Sequence, residues 1–180
     1  MDNKTTEQSL WGLLEGITEN LKYKRLADVF RFVSFQPFET FGPHQHLRIE
    51  INYVKKGNCI LHLENESISF NENEMMIICS NVEHTFEAGS EGTTLMQLEF
   101  LPEIFSRFNP HAQDETGELT PVTIFSEENR LIKIVNNIGI MRVVQRIVNE
   151  LEGKNSYYQY LVVMFYAELM VLIYRYMDEN

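Results

Sequence analysis

The stretch that decides the fold is PHQHLRIEINYVKKG, residues 43–57. It contains His44, His46 and Glu50, all at even positions. Because side chains alternate between the two faces of a β-strand, residues two apart share a face. An extended segment here therefore points two imidazoles and one carboxylate in the same direction. The next residues, KKGN at Lys55–Asn58, predict a turn, since glycine and asparagine accept a positive φ.

This stretch resembles the first motif of the cupin superfamily, which is H-x-H, three or four residues, E, six residues, G. His44, His46, Glu50 and Gly57 fit that motif without a gap. Phe38 stands where the family usually has a glycine, six positions before the first histidine. The resemblance implies that the conserved face of the strand lies inside a jelly-roll barrel.

The second cupin motif is only partly present. His84 fits its histidine, whereas Asn73 and Asn81 replace its two glycines and Cys79 replaces its proline. Asparagine tolerates left-handed backbone better than most residues, so we expect both turns to survive.

Short strand patterns with regular turn signals predict a sandwich or barrel. The resemblance to cupins implies a mainly β, cupin-like jelly-roll barrel, and a helical region is expected after it (α+β overall). The expected divisions are a cupin-like barrel with an N-terminal arm at 1–125 and a helical dimerisation region at 126–180. A short helix is expected over Leu10–Leu21. The predicted strands are Asp28–Gln36, Leu47–Val54, Asn58–Leu63, Ser67–Phe70, Met75–Cys79, Thr85–Ala88, Thr93–Leu101 and Val122–Phe125.

The last third of the chain has helical periodicity. Ser126 is a good N-cap, and apolar residues recur at helical spacing from Leu131 to Leu151, with a break expected at Gly139. The final helix, Tyr157–Met177, is apolar around nearly its whole circumference, so it needs cover on more than one side. We therefore predict a homodimer whose interface contains Leu161, Phe165, Leu169, Leu172 and Ile173.

A cupin barrel followed by such helices resembles the N-terminal half of AraC-type transcriptional regulators. The phrase EINYVKKG at Glu50–Gly57 is similar to a strand and turn of that family. The resemblance implies a barrel that binds a small effector and helices that dimerise. It also implies a separate C-terminal domain with helix-turn-helix motifs that binds DNA. We expect that domain to lie outside this chain, as part of a longer regulator, rather than the chain to be a stand-alone sensor.

Composition agrees with this interpretation. The 180 residues carry a formal net charge of -11, which disfavours direct contact with nucleic acid phosphates. Cys59 and Cys79 lie in apolar runs and are expected to be buried thiols in a reducing compartment. The N-terminus lacks a signal-peptide pattern, so a cytoplasmic location is expected. Glu168 interrupts the most apolar run, which favours a buried helix over a membrane span.

The candidate site allows two interpretations. His44, His46, Glu50 and His84 could hold a divalent transition metal, since imidazole and carboxylate suit Zn, Fe, Mn or Ni. Alternatively, they line a pocket for an organic effector and no metal cofactor is needed. The residues expected to contact an effector are His44, His46, Arg48, Glu50, Tyr53, His84, Phe86 and Gln97.

Arg48 is harder to place, because strict alternation points it inward beside the possible ligands. It binds an anionic effector, is turned out by a bulge, or is exposed at the strand end. His62 and His111 are expected at the surface.

Two functions follow from these observations. The favoured one is the ligand-sensing and dimerisation domain of an AraC-type regulator. The other is a small metal-dependent cupin enzyme of the dioxygenase or isomerase type.

Overall fold

The structure, a computed structural model, describes residues 29–100 and 130–179. Within these residues, seven strands precede two helices, and the strands belong to one antiparallel sheet. The strands are β1 (Val29–Phe35), β2 (Thr40–His44), β3 (Ile49–His62), β4 (Ser67–Asn71), β5 (Met75–Ile78), β6 (His84–Phe100) and β7 (Leu131–Ile134). The helices are α1 (Ile138–Gly153) and α2 (Tyr158–Glu179). The predicted order of strands followed by helices is confirmed.

Two long strands, β3 and β6, organise the sheet. They pair with each other along most of their length, from Ile49↔Phe100 to His62↔Thr85. Each also carries shorter partners: β1 and β2 pair with β6, whereas β4 and β5 pair with β3. β7 extends the sheet beyond β5.

Two predicted interruptions of these long strands are wrong, namely the turn at Lys55–Asn58 and the gap between the predicted strands Thr85–Ala88 and Thr93–Leu101. Lys55–Asn58 and the segment from Gly89 to Gly92 lie within continuous strands, where the pairing of β3 with β6 shifts register. Gly57 and Gly92 have φ of +79° and +76°, and a Cβ on Gly57 would lie 2.1 Å from the Gly92 carbonyl oxygen. The two glycines therefore let the paired strands bend through bulges instead of ending.

The left-handed positions expected from the cupin resemblance are present. Asn73 and Asn81 have φ of 68° and 60°, so asparagine does maintain the backbone of both replaced glycines. Phe38, which stands where cupins usually have a glycine six positions before the first histidine, also has a positive φ of 60°.

Asn73 combines this backbone with a side-chain contact, because its Oδ1 accepts a hydrogen bond from Tyr53 Oη at 2.7 Å. We expect Asn73→Ala to destabilise the protein by about 2 kcal/mol, the sum of left-handed strain and one lost hydrogen bond. Asn73→Gly loses only the hydrogen bond and should cost about half as much. Urea unfolding of both variants tests this; an alanine variant as stable as the glycine variant would contradict it.

The polar face of β3 is buried. Glu50 and Asn52 are 5% and 2% exposed, and the alternating apolar residues Ile49, Ile51 and Tyr53 are buried as well. A strand covered on both faces cannot have a solvated polar side, so the polar face is an interior surface.

β7 corrects another expectation. Leu131–Ile134 was predicted to belong to a helix, yet it pairs with the edge of β5 from Met75↔Ile134 to Ile78↔Leu131. Ile132 and Ile134 are buried while Leu131 and Lys133 are partly exposed, so the run also has the period of a strand. Hydrogen bonding to the open edge of β5 therefore decided the structure of this segment, although its apolar residues also fit the spacing of a helix. The helix break expected at Gly139 is also wrong, because Gly139 lies in the first turn of α1, which continues without interruption to Gly153.

The chain divides into two compact units, with residues 138–179 in one and the described strands in the other. In the helical unit, α1 and α2 pack against each other. Arg146 lies on the ring of Phe165, 3.8 Å from its centroid, and pairs with Glu168 at 3.0 Å. By length and composition alone, Tyr158–Met177 could cross a membrane. The packing on α1 and the ion pair of Glu168 instead favour a helix of a folded core.

The five residues predicted for a dimer interface differ in exposure. Phe165, Leu169 and Ile173 are buried within the chain, so they belong to its core and offer no free surface. Leu161 is exposed and Leu172 partly so. The periodicity of the sequence identified an apolar helix. It could not show which side of that helix is buried against the rest of the same chain.

Several sequence expectations fall outside the described residues. They are the Leu10–Leu21 helix, the Val122–Phe125 strand, the Ser126 cap, His111 and the domain boundary at residue 125.

Candidate functional site

The curved sheet encloses a cavity of about 350 Å³. Its walls come from β1, β2, β3, β5, β6 and the segment before β3. The lining residues are Arg31, Val33, Phe35, Phe41, His44, His46, Glu50, Asn52, Leu61, Ile78, His84, Phe86, Leu95, Gln97 and Glu99.

Strand register gives one wall of the cavity a gradient of polarity. Glu50 and Glu99 are paired at one end, and the next inward-facing row contains Arg31, Gln97 and Asn52. The row after that pairs Val33 with Leu95. The wall therefore changes from carboxylates to a guanidinium and amides, and then to aliphatic side chains.

Four side chains meet at the polar side of the cavity. His44, His46, Glu50 and His84 each direct one nitrogen or oxygen to a point where all four atoms lie within 4.8 Å of one another. The rings of His44 and His84 are neighbours, with centroids 4.2 Å apart, because β2 pairs His44 with His84.

A glycine permits this close pairing. Gly42 has a φ of +118°, and a Cβ there would lie 2.7 Å from the His84 carbonyl oxygen and 3.2 Å from His44 Nδ1. A larger residue at this position would therefore push β2 away from β6 and separate the two histidines.

His46 is held by two acceptors. Its Nδ1 lies 2.8 Å from the Arg48 carbonyl oxygen, and its Nε2 lies 2.9 Å from Glu50 Oε2. Since neither oxygen can donate, both ring nitrogens carry protons in this arrangement. The hydrogen bond to Glu50 is the main reason that the pKa of His46 is raised above its ordinary value.

His84 and His44 each have a buried nitrogen with an unused hydrogen-bonding capacity. His84 Nδ1 donates to the Val82 carbonyl oxygen at 2.8 Å, which leaves Nε2 as a buried lone pair with no hydrogen-bond partner. Nδ1 of His44 is also buried without a partner. Burial lowers the pKa of His44, so its ring is neutral near pH 7. Buried polar atoms are normally satisfied, so these two indicate a missing partner.

Glu50 remains ionised despite its burial. Burial by itself would raise its pKa, but a hydrogen bond from His46 opposes it, as do bonds from Asn52 Nδ2 at 2.5 Å and Gln97 Nε2 at 2.6 Å. The result is a pKa of about 2. Glu50 is therefore a fixed anion at the centre of the cluster.

A second charged group lies beside the first. Arg31 Nε donates to Gln97 Oε1 at 2.5 Å, and its Nη2 is 3.9 Å from Glu99 Oε1. Arg48 Nη1 is 3.4 Å from the other oxygen of Glu99. Gln97 connects the two groups, because its amide nitrogen donates to Glu50.

The structure brings six of the eight sequence-predicted contact residues to the cavity: His44, His46, Glu50, His84, Phe86 and Gln97. Tyr53 is on the opposite face of β3 and bonds Asn73 instead. Arg48 is outside the lining, and its side chain contacts Glu99, which does line the cavity. His62 is partly exposed and pairs with Ser67 and Glu87, as expected of a surface histidine.

The sequence reasoning missed Arg31, Asn52 and the aromatic pair that Phe35 forms with Phe86, whose ring centroids are 4.4 Å apart. Alternation could have found Asn52, which shares the parity of Glu50. Arg31 lies in the predicted strand Asp28–Gln36, which has apolar residues on both faces, so no pattern of alternation singled it out.

The donor set of the cluster fits a divalent transition metal once His46 Nε2 gives up the proton that it shares with Glu50. Three imidazoles and one carboxylate are typical ligands, and a backbone carbonyl such as the one that fixes the His84 tautomer typically orients a metal-binding imidazole. Two ligands of one Zn²⁺ can be at most about 4.2 Å apart, since each bond is about 2.1 Å. The cluster, with its atoms within 4.8 Å, would therefore need only a small contraction.

Comparison with known proteins shows a family and a fold. The family profile described as AraC-like ligand binding domain matches residues 29–162. A ToxT structure from Vibrio cholerae superposes with a TM-score of 0.61 at 12% identity, covering 83% of this chain and 56% of ToxT. This chain thus spans little more than half the length of ToxT. No curated protein sequence matches.

Smaller superpositions occur with cupin proteins. A cupin superfamily protein from Desulfitobacterium hafniense gives a TM-score of 0.37 at 11% identity over 39% of this chain and 63% of that protein. KdgF from a Halomonas species gives 0.36 at 23% identity over 38% of this chain and 63% of KdgF. The predicted fold, a cupin-like antiparallel core followed by helices, is confirmed by the ToxT superposition.

Proposed function

Because this chain belongs to the AraC-like ligand-binding domain family, we propose that it is the effector-sensing and dimerisation part of an AraC-type transcriptional regulator. The effector binds inside the barrel, and the domain senses it without catalysing a reaction. The observation that supports this most is the cavity of about 350 Å³, which combines an apolar wall with a few buried polar groups. Small-molecule sites typically have this composition.

A thermal-shift screen with a cavity-filled variant tests the proposal. Leu95 lines the cavity and is almost fully buried, so Leu95→Trp should occupy the space in which an effector would bind. We expect at least one group of small organic acids or sugars to raise the melting temperature of the wild type and not that of Leu95→Trp. Equal stabilisation of both proteins would show that binding occurs elsewhere.

We propose that the two compact units, the barrel and the helices, have different functions. The barrel, which includes β7, binds the effector. The helices dimerise, and DNA is bound by a helix-turn-helix domain outside these 180 residues. The net charge of -11 supports assigning DNA contact elsewhere. The regulator acts in the cytoplasm.

The dimer surface that we propose is an exposed apolar stripe on α2, formed by Tyr160, Leu161 and Met164. Met164 is 60% exposed, and the three residues lie on one side of the helix because successive residues are rotated by about 100°. Buried Phe165, Leu169 and Ile173 are not part of this surface.

We expect Met164→Glu to convert the dimer to a monomer, because it places a charge in an apolar contact. Gln159→Glu is the matched control, since Gln159 is exposed on the opposite side of α2. Sedimentation velocity at several concentrations measures the outcome. A Met164→Glu protein that dimerises as well as Gln159→Glu would place the interface elsewhere.

A metal-dependent enzyme of the cupin type is the second candidate, and the buried unpartnered nitrogens of His44 and His84 favour it. A divalent ion held by His44, His46, Glu50 and His84 would supply Lewis-acid polarisation of a bound carbonyl or carboxylate oxygen. In that case Asn52 and Gln97 orient Glu50 through their hydrogen bonds, and the apolar wall excludes water from the bound substrate.

A further inference from the structure

A buried acceptor in the cavity indicates what the ligand carries. We propose that the effector is an uncharged small molecule with a hydroxyl or N–H group that donates to Oδ1 of Asn52, and with an apolar body that lies against Val33 and Leu95. Asn52 is then the residue that selects a hydrogen-bond donor. This inference rests on the proposed function, because it names the ligand class of the same cavity.

The first argument is the amide of Asn52, which lines the cavity and is only 2% exposed. Its Nδ2 donates to Glu50 Oε1 at 2.5 Å, and this bond fixes the orientation of the amide, because the opposite orientation would place two oxygens against each other. Oδ1 is left as a buried acceptor that has no hydrogen-bond partner among the described residues. Because an unsatisfied buried polar atom is costly, a ligand that donates to Oδ1 gains affinity.

The cross-strand partner of Asn52 lacks this property. Gln97 is paired with Asn52 in the sheet, and its Nε2 also donates to Glu50 Oε1, at 2.6 Å. Its Oε1, however, accepts a hydrogen bond from Arg31 Nε. The chain therefore uses both ends of the Gln97 amide but only one end of the Asn52 amide.

The second argument is that another acceptor of the same cavity is also unused. His84 Nε2 is a buried lone pair without a hydrogen-bond partner among the described residues, because His84 Nδ1 donates to the Val82 carbonyl oxygen. An ether or an ester offers only lone pairs and would leave both acceptors unsatisfied. A carboxylate would in addition bring negative charge towards Glu50. A hydroxyl or N–H group satisfies an acceptor without adding charge.

The third argument is the balance of charge in the lining. Glu50 pairs with His46 at 2.9 Å, and Glu99 lies 3.9 Å from Arg31 Nη2. Within the described lining, each carboxylate therefore already has a cationic neighbour. Since burying a charged group without a partner is costly, this balance favours an uncharged head group.

The apolar body follows from the order of the rows on the cavity wall. Leu95 pairs with Val33 on one side and with Val54 on the other, and Val54 is two residues beyond Asn52 on β3. A ligand that donates to Asn52 thus meets aliphatic side chains within one step of two residues along the strands. The head group and the body of the ligand are therefore placed by neighbouring rows.

Isothermal titration with phenol, fluorobenzene and benzoate tests the inference, in the presence of a chelator so that no metal contributes. Phenol and fluorobenzene are similar in size, but fluorine cannot donate a hydrogen bond. We expect phenol to bind at least about fivefold more tightly than fluorobenzene, which corresponds to one net hydrogen bond. Benzoate should bind more weakly than phenol, because its head group is charged and offers no donor.

Two matched variants locate the hydrogen bond. Asn52→Leu and Gln97→Met each remove one N–H donor from Glu50, but only Asn52→Leu also removes the unused acceptor. We expect Asn52→Leu to bring the affinities for phenol and fluorobenzene to within about twofold of each other. Gln97→Met should change both affinities alike and keep the preference for phenol. Binding of fluorobenzene by each variant checks that its cavity is intact.

The wild type alone can refute the inference, whether or not the variants fold. Fluorobenzene or benzoate that binds the wild type as tightly as phenol would overturn it and leave the effector site itself standing. An Asn52→Leu protein that keeps the full preference for phenol would do the same. A wild type that binds none of the three probes would contradict both the inference and the proposed site.

Discussion

Replacing Leu169 by alanine is expected to lower the free energy of unfolding by about 2–5 kcal/mol, the usual cost of truncating a fully buried leucine. Leu169 is 0% exposed in the single chain, so the truncation leaves a cavity that the surrounding side chains can fill only partly. Chemical denaturation followed by circular dichroism measures the loss.

The matched control is Met164→Ala on the same helix. Met164 is exposed, so its truncation should change the unfolding free energy of the chain itself by less than about 0.5 kcal/mol. The two variants therefore separate the core side of α2 from its proposed interface. A Leu169→Ala protein that shifts only the dimer dissociation constant, without loss of chain stability, would show that Leu169 is an interface residue after all.

Removing His84 is expected to abolish any metal binding. The buried Nε2 lone pair of His84 is one of four potential ligand atoms. Loss of a residue that only hydrogen-bonds to a metal ligand weakens metal binding roughly 10–100-fold, and loss of a ligand itself weakens it more. We therefore expect His84→Ala to weaken Zn²⁺ binding by at least about 100-fold. Elemental analysis and a competition titration with a chromogenic chelator measure the effect.

His62→Ala is the control for that experiment, because His62 pairs with Ser67 and Glu87 away from the cluster. It should bind Zn²⁺ like the wild type. If His84→Ala and the wild type bind Zn²⁺ equally, the four residues do not form a metal centre. In that case the buried nitrogens would be partners for the organic effector alone.

The cluster was predictable from the spacing of the cupin motifs, which brings together His44, His46, Glu50 and His84. Alternation along one strand did not place it, since His44 lies on β2, His46 in the segment before β3 and Glu50 on β3. Asn73 and Asn81 could be recognised as glycine substitutes because left-handed backbone has few acceptable residues.

The remaining features depend on contacts that no local pattern encodes. Whether Gly57 and Gly92 make turns or bulges is decided by their close approach across β3 and β6. Leu131–Ile134 became a strand because an edge of β5 was available. Arg31 became a cavity residue only through its register with Gln97. Pairing between segments that are distant in sequence decided these three features, namely the bulges, the strand β7 and the position of Arg31. Patterns among neighbouring residues along the chain could therefore not predict them.

The central claim is that a small molecule binds inside the barrel, and methyl NMR spectroscopy with the best ligand from the thermal-shift screen tests it most directly. Leu61, Ile78 and Leu95 line the cavity, whereas Ile140, Val144 and Ile147 are core residues of α1 in the helical unit. We predict saturable chemical-shift changes at the three cavity residues that are several times larger than those at the three helical ones. Changes confined to the helical residues, or no change at the cavity methyls under conditions that raise the melting temperature, would contradict the account.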